Sequence, residues 1–173
     1  MSNYHIKNLE EYFHVYKKSI QEPEVFWEEI AEEHFTWRKK WTNILSWDFS
    51  KPEIKWFENA KLNITENCID RHLPTRGEKT AIIYEPNSPD EDALHISYNE
   101  LHERVCKFAN VLKSNGVEKG DRVIIYLPMI PELAVSVLAC ARIGAVHSVV
   151  FAGFSSTVLS TRINDCEAKM VIT

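Results

Sequence analysis

Hydrophobic positions recur along this chain with two periods, and the change from one to the other predicts its elements. Leu9, Tyr12, Phe13 and Tyr16 fall at helical spacing, and Pro23 opens a second helical stretch striped by Val25, Phe26, Trp27 and Ile30. Asn63-Ile-Thr-Glu66 has the form of a capping box and predicts a helix through Cys68, Ile69 and Leu73, ended by Pro74. Ser97-Tyr-Asn-Glu100 is a fuller box: the serine hydroxyl can accept from the third helical amide while Glu100 reaches back to the Ser97 amide. Behind it Leu101, Val105, Phe108, Ala109 and Leu112 form one face and Gly116 supplies a left-handed stop, so a helix over 98–115 is predicted.

Shorter apolar runs predict strands. Thr80-Ala-Ile-Ile-Tyr84 reads as a short buried strand, and from residue 122 the pattern alternates. It gives a strand over 122–127, a helix over 131–143, a strand over 145–151, a helix over 155–165 and a strand over 169–173. This β-α-β-α-β order predicts an α/β fold with a parallel sheet, right-handed crossovers and flanking helices. The middle helix is apolar on most faces and is expected to be buried. The last strand has no onward connection in the sequence, which reads as an α/β unit cut before completion.

Texture divides the chain near residue 62. Residues 1–62 carry all five tryptophans among dense Glu and Lys, and are expected to form a helical, aromatic arm wrapping the body. Residues 63–173 are expected to be the first part of the α/β domain. Glu85–Asp92, with two prolines and several acids, reads as an exposed connection.

Composition then narrows the function classes. Twenty Lys+Arg against 25 Asp+Glu leave a net charge of −5, which offers no footprint for a nucleic-acid backbone. Cys68, Cys106, Cys140 and Cys166 lack metal-ligand spacing and read as reduced, mostly core residues of a cytoplasmic protein. The first ten residues hold no apolar stretch behind a basic cap, which argues against a secretory leader. The most apolar region, 123–150, is broken by Pro128, Pro131 and Glu132, and its longest run, Leu133 to Ala141, falls short of the ~20 residues a membrane span needs. No membrane partner is expected.

The search for chemistry returns mainly absences. The five glycines form neither GxGxxG nor GxxxxGK[ST], and GxSxG and HExxH are missing too. No catalytic residue and no metal ligand is assigned. His34, His72, His95 and His102 are placed on surfaces or helix edges, and His147, in a strand expected to be buried, as a hydrogen-bonded structural histidine. One stretch has the form of a site. Val149–Ser155 runs from a strand end through small residues into a helix start, and open α/β sheets bind ligands beyond the carboxyl ends of their strands. Ala152 and Gly153 would let a ligand approach the backbone, and amides near Ser155 could face an anion. A tight βα turn capped by Ser155 explains the same residues without a ligand.

Longer motifs carry a resemblance. Gly120-Asp-Arg-Val-Ile-Ile-Tyr-Leu-Pro-Met-Ile-Pro-Glu-Leu-Ala-Val135 and Leu138-Ala-Cys-Ala-Arg-Ile-Gly-Ala-Val-His-Ser-Val-Val-Phe-Ala-Gly-Phe-Ser155 closely resemble the acetyl-CoA synthetase family. Ser97–Leu101 is similar to the family motif that opens the corresponding helix, and Trp56–Asn63 resembles its N-terminal arm. The resemblance implies the N-terminal part of the large domain of an adenylate-forming ligase, in which acetate attacks ATP to give acetyl-AMP and pyrophosphate before the CoA thiol displaces AMP. It implies acetate, CoA and ATP with Mg²⁺ as the small-molecule substrates of the whole enzyme. Its phosphate loop, acetate pocket and catalytic lysine would all lie beyond Thr173, so this chain alone is expected to be inactive and to bind CoA only weakly. By resemblance, Phe151, Ala152 and Gly153 lie beside CoA, with Ala152 where bacterial relatives commonly carry glycine. Two alternatives stand beside this reading. A propionyl-CoA synthetase shares much of 138–154, although Pro131–Val135 and Gly153–Ser155 look more like the acetate enzymes; a truncated paralogue would serve as a binding or structural module.

Overall fold

A computed structural model describes residues 6–173; residues 1–5, half of the stretch read as lacking a leader, lie outside it. The chain divides between Leu62 and Asn63 into two compact units.

In the first unit, α1 (Leu9–Gln21) is capped by Asn8, whose side chain accepts from the Glu11 amide at 2.8 Å. α2 (Pro23–His34) begins on its proline, where the missing N–H has no partner to lose. Lys18 on α1 pairs with Glu29 on α2 at 2.5 Å. The sequence reading had no strands here, yet β1 (Asn43–Asp48) and β2 (Glu53–Glu58) form an antiparallel hairpin that pairs Leu45 with Trp56 and Trp47 with Ile54. Several of the aromatic side chains pack on one another. Trp37 lies 5.1 Å from Trp41 and 5.6 Å from Phe57, edge-on and tilted respectively, and its indole N–H donates to the Ala31 carbonyl at 2.9 Å.

In the second unit, Asn63 caps α3 (Ile64–Cys68) by accepting from the Thr65 amide. The helix expected to continue to Leu73 breaks at Ile69 (φ −123°, ψ −68°) and gives way to a 3₁₀ turn over Asp70–His72 and a short α4 (Leu73–Arg76). Pro74 therefore opens a turn instead of ending a helix, because a proline in a first turn removes no hydrogen bond. β3 (Thr80–Tyr84) pairs antiparallel with β4 (Leu94–Ser97), a strand the sequence reading missed. In a two-stranded ribbon only one face is covered, so β3 is not buried: Ile83 is 64% exposed, while Ile96, paired with the adjacent Ile82, is fully enclosed.

α5 (Tyr98–Ser114) carries the reciprocal capping box expected of it, with Glu100 N donating to Ser97 Oγ at 3.2 Å and Ser97 N to Glu100 Oε2 at 2.8 Å. Its Leu101, Val105, Ala109 and Leu112 are buried. β5 (Arg122–Ile125), α6 (Pro131–Ile143), β6 (Val146–Val149), α7 (Ser156–Asp165) and β7 (Met170–Ile172) complete the alternation as a parallel sheet of order β6-β5-β7. Only β5 has neighbours on both sides, and Val123, Ile124 and Ile125 are fully buried. Val123 and Ile125 join α5 and α6 in the core, where only Glu132 of α6 is exposed. Ile124 points to the opposite face, to which a right-handed β6-α7-β7 crossover carries α7.

Two expectations fail for one reason. β6 is an edge strand, so Val146, His147 and Val149 are exposed and His147 is not a buried structural histidine. Of the four cysteines only Cys140 is buried; Cys106 and Cys166 are half-buried and Cys68 is exposed. Burial pushes the Cys140 thiol up to about 11. A maleimide or disulfide reagent at pH 8 is expected to modify Cys68 rapidly and to reach Cys140 only on unfolding, as mapped by peptide mass spectrometry; early labelling of Cys140 would contradict its burial.

Candidate functional site

The carboxyl ends of the three parallel strands lie side by side, with Ile125 in register with Val149 on one side and Ile172 on the other. The chain leaves β6 through Phe151-Ala152-Gly153 and enters α7 at Ser155, whose hydroxyl caps the helix at the Val158 amide. The residues singled out in the sequence thus form one turn at the ligand-binding edge of an α/β sheet. Phe151 is 65% exposed, Gly153 is exposed and Ala152 is half-buried. The turn is closed by the Phe154 amide donating to the Phe151 carbonyl at 3.0 Å. The Phe151 ring packs edge-on against Phe154 at 5.8 Å, and the Arg162 guanidinium sits 5.6 Å over the Phe154 ring.

Glycine at 153 has a steric reason. A Cβ there would stand 2.5 Å from Cε1 of Phe151, so any side chain would displace that ring. From the far side, the Tyr126 hydroxyl reaches the Ala152 carbonyl at 2.8 Å and the Phe154 carbonyl at 2.9 Å. Sequence reasoning missed Tyr126; its only signal was its place directly after an apolar strand.

A second polar cluster lies among the helices. Arg142 on α6 grips Asp70 with both arms, Nη1 donating to Oδ2 at 2.8 Å and Nη2 to Oδ1 at 2.7 Å, and reaches Thr65 Oγ1 at 3.2 Å. His102 Nε2 stands 3.2 Å from Arg142 Nη2, 3.5 Å from Asp70 Oδ1 and 3.5 Å from Cys106 Sγ. A guanidinium only donates, so a hydrogen bond between Arg142 and His102 needs Nε2 as its acceptor. The Arg142 guanidinium holds the Asp70 carboxyl below the usual carboxylate range, against the opposing effect of burial. His102, placed by the sequence reading on a surface or helix edge, therefore has three neighbours, brought together from residues 70, 106 and 142. A nucleophile-base pair is not formed here: the same imidazole nitrogen faces the thiol, the carboxylate and the guanidinium, so no second nitrogen is oriented by an acid. The cluster ties helices together. Among the described residues no group of three His, Cys, Asp or Glu side chains could hold a metal ion, and no helix is long and apolar enough to cross a membrane.

Residues 69–173, well over half of the chain, match the family model described as AMP-binding enzyme. The chain belongs to the AMP-binding enzyme family. Residues 12–68 match a second model, the acetyl-coenzyme A synthetase N-terminus. Among AMP-binding relatives, the acetyl-coenzyme A synthetase of Saccharophagus degradans is 58% identical over 172 residues, 99% of this chain and 26% of that protein. That of Halorhodospira halophila is 55% identical over 166 residues, covering 96% and 26%. The structure of acetoacetyl-CoA synthetase from Streptomyces lividans overlays with a TM-score of 0.81 at 28% identity, across 90% of this chain and 24% of that one. The motif resemblance to acetyl-CoA synthetases and the parallel α/β fold class are thereby borne out. The chain spans about a quarter of the length of the relatives it matches.

Proposed function

We propose that this chain is the N-terminal portion of an acetate–CoA ligase that makes acetyl-CoA from acetate, ATP and CoA by way of acetyl-AMP. The observation that carries this reading is the 58% identity, sustained over 172 residues, to an acetyl-coenzyme A synthetase. Residues 1–62 are the N-terminal arm of that ligase, and the protein works in the cytoplasm. Mg²⁺ enters with ATP as substrate. In this reading Phe151, Ala152 and Gly153 form one wall of the CoA site, supported by their place at the carboxyl edge of the sheet and by the exposed turn that leaves their backbone open. The chain contributes no catalytic group of its own. Among the described residues, the half-buried cluster of Asp70, His102 and Arg142 holds its carboxylate and guanidinium in a structural pair and leaves no acid–base pair free for that work.

Two assays test the proposal. The purified 173-residue chain, given acetate, ATP, Mg²⁺ and CoA, is expected to release no pyrophosphate above the protein-free rate; turnover would overturn its assigned inactivity. Grafted in place of the matching quarter of the Saccharophagus degradans synthetase, it is expected to support acetate-dependent acetyl-CoA formation. A folded but inactive graft would count against the ligase reading and favour a structural module.

A further inference from the structure

We propose that Tyr126 is a positioning residue for the Phe151–Gly153 turn, its hydroxyl turning two carbonyls inward so that the Gly153 and Ser155 amides face outward toward acceptor oxygens of CoA. The proposal rests on the reading of that turn as a CoA contact and adds to it the group that sets the direction of its backbone.

Tyr126 is itself held at the sheet edge, since its amide donates to the Ile172 carbonyl at 2.8 Å. From that anchor its single hydroxyl proton is shared between the carbonyls 26 and 28 residues later in the chain, whose oxygens lie at 2.8 and 2.9 Å. A peptide unit is planar, and in its trans form the C=O and the following N–H point in opposite directions. The chain has no cis peptide among its described residues. With the Ala152 oxygen directed at Tyr126, the Gly153 N–H must therefore point away from it; the Phe154 oxygen fixes the Ser155 N–H in the same way. Among the described residues neither of these amides has a hydrogen-bond partner. The turn thus presents two donors on its open side because its acceptors are engaged on the closed side. Phenylalanine at 126 would leave both carbonyls facing an apolar ring. They would turn toward water, and the rigid peptide units would carry the amides with them.

The test uses the ¹⁵N-labelled chain and its Tyr126→Phe variant, each titrated with CoA to millimolar concentration while the amide spectrum is recorded. The expected result is that CoA shifts the Gly153 and Ser155 amides of the unaltered chain and that Tyr126→Phe weakens this response about fivefold, the worth of one neutral hydrogen bond. Amides elsewhere should stay in place, which a general loss of structure would not allow. In the absence of ligand the Phe154 amide should exchange with solvent faster in the variant. Pantetheine, which lacks the phosphates, separates the two acceptor chemistries: a response to it assigns an amide carbonyl, a response to CoA alone assigns a phosphate, and either supports the proposal. An equal CoA response in both proteins would overturn the role of Tyr126 and leave the turn as a CoA contact. No response at these amides in the unaltered chain would overturn both. Should Tyr126→Phe fail to fold, Ser155→Pro deletes one of the two amides with Tyr126 intact, at a residue whose φ of −67° is already that of proline; an undiminished CoA response at Gly153 would also overturn the proposal.

Discussion

Replacing Ile125 by alanine is expected to destabilise the α/β unit by about 3 kcal/mol, a sizeable share of the roughly 5–15 kcal/mol that holds a domain of this size folded. Ile125 has no exposed surface, and it lies on the one strand flanked on both sides, beneath α5 and α6. Leu112 and Val105 of the same core belong to α5, so the cavity left by three missing carbons cannot close without moving a helix. Urea unfolding followed by far-ultraviolet circular dichroism is the suitable measurement, because all five tryptophans sit in residues 1–62 and fluorescence reports on the other unit. Ile83→Ala is the matched control: the same deletion at an exposed strand position should cost less than about 1 kcal/mol. Equal shifts for the two variants would contradict the assignment of β5 as the centre of the core.

Arg142→Met should cost about 2 kcal/mol at neutral pH, by leaving Asp70 charged and without its two donors. The estimate is kept below that for a fully buried pair because the two side chains remain 21% and 30% exposed. The pH dependence has a definite sign. The Asp70 carboxyl is held below its unfolded value of about 4, so the pair's contribution is present above that value and disappears as the pH falls through the lowered native value. The unaltered protein should therefore lose stability on acidification, and the variant should lack this part of the acid limb. The two proteins should converge in stability once the pH is below that lowered native value. A constant difference between them from pH 7 to pH 2 would show that the loss comes from packing of the arginine stem and not from the ion pair.

Much of the second unit could be read before its structure. The helix after Ser97 was legible because its cap, apolar face and glycine stop all point to one solution, and the β5-to-β7 alternation because its apolar runs are short and well separated. The β1–β2 hairpin was not. Its strands mix tryptophans with Lys and Glu, and the two flanking helical stripes drew the whole segment into a helical arm. Burial was misjudged for β3 and β6 because an apolar run states what a strand prefers to touch, not whether a neighbour exists to touch it. The turn at 151–153 was found from strand-end chemistry and resemblance. Tyr126 and the Asp70–His102–Arg142 cluster could not be found, since their meeting depends on a topology that no local spacing encodes.

The contacts that fasten α3 also carry a consequence for how the chain is made. Asn63 caps α3 and donates to the Ala141 and Arg142 carbonyls, 78 and 79 residues ahead, and Asp70 waits for Arg142 across 72 residues. At roughly 5–20 residues per second, a ribosome needs on the order of 4–16 s to deliver those partners. During that interval the segment from Asn63 to Leu73 has a helix start and no place to dock, and its apolar Ile69 stays available to chaperones. The first helix of the α/β unit therefore gains these contacts only after α6 has been made.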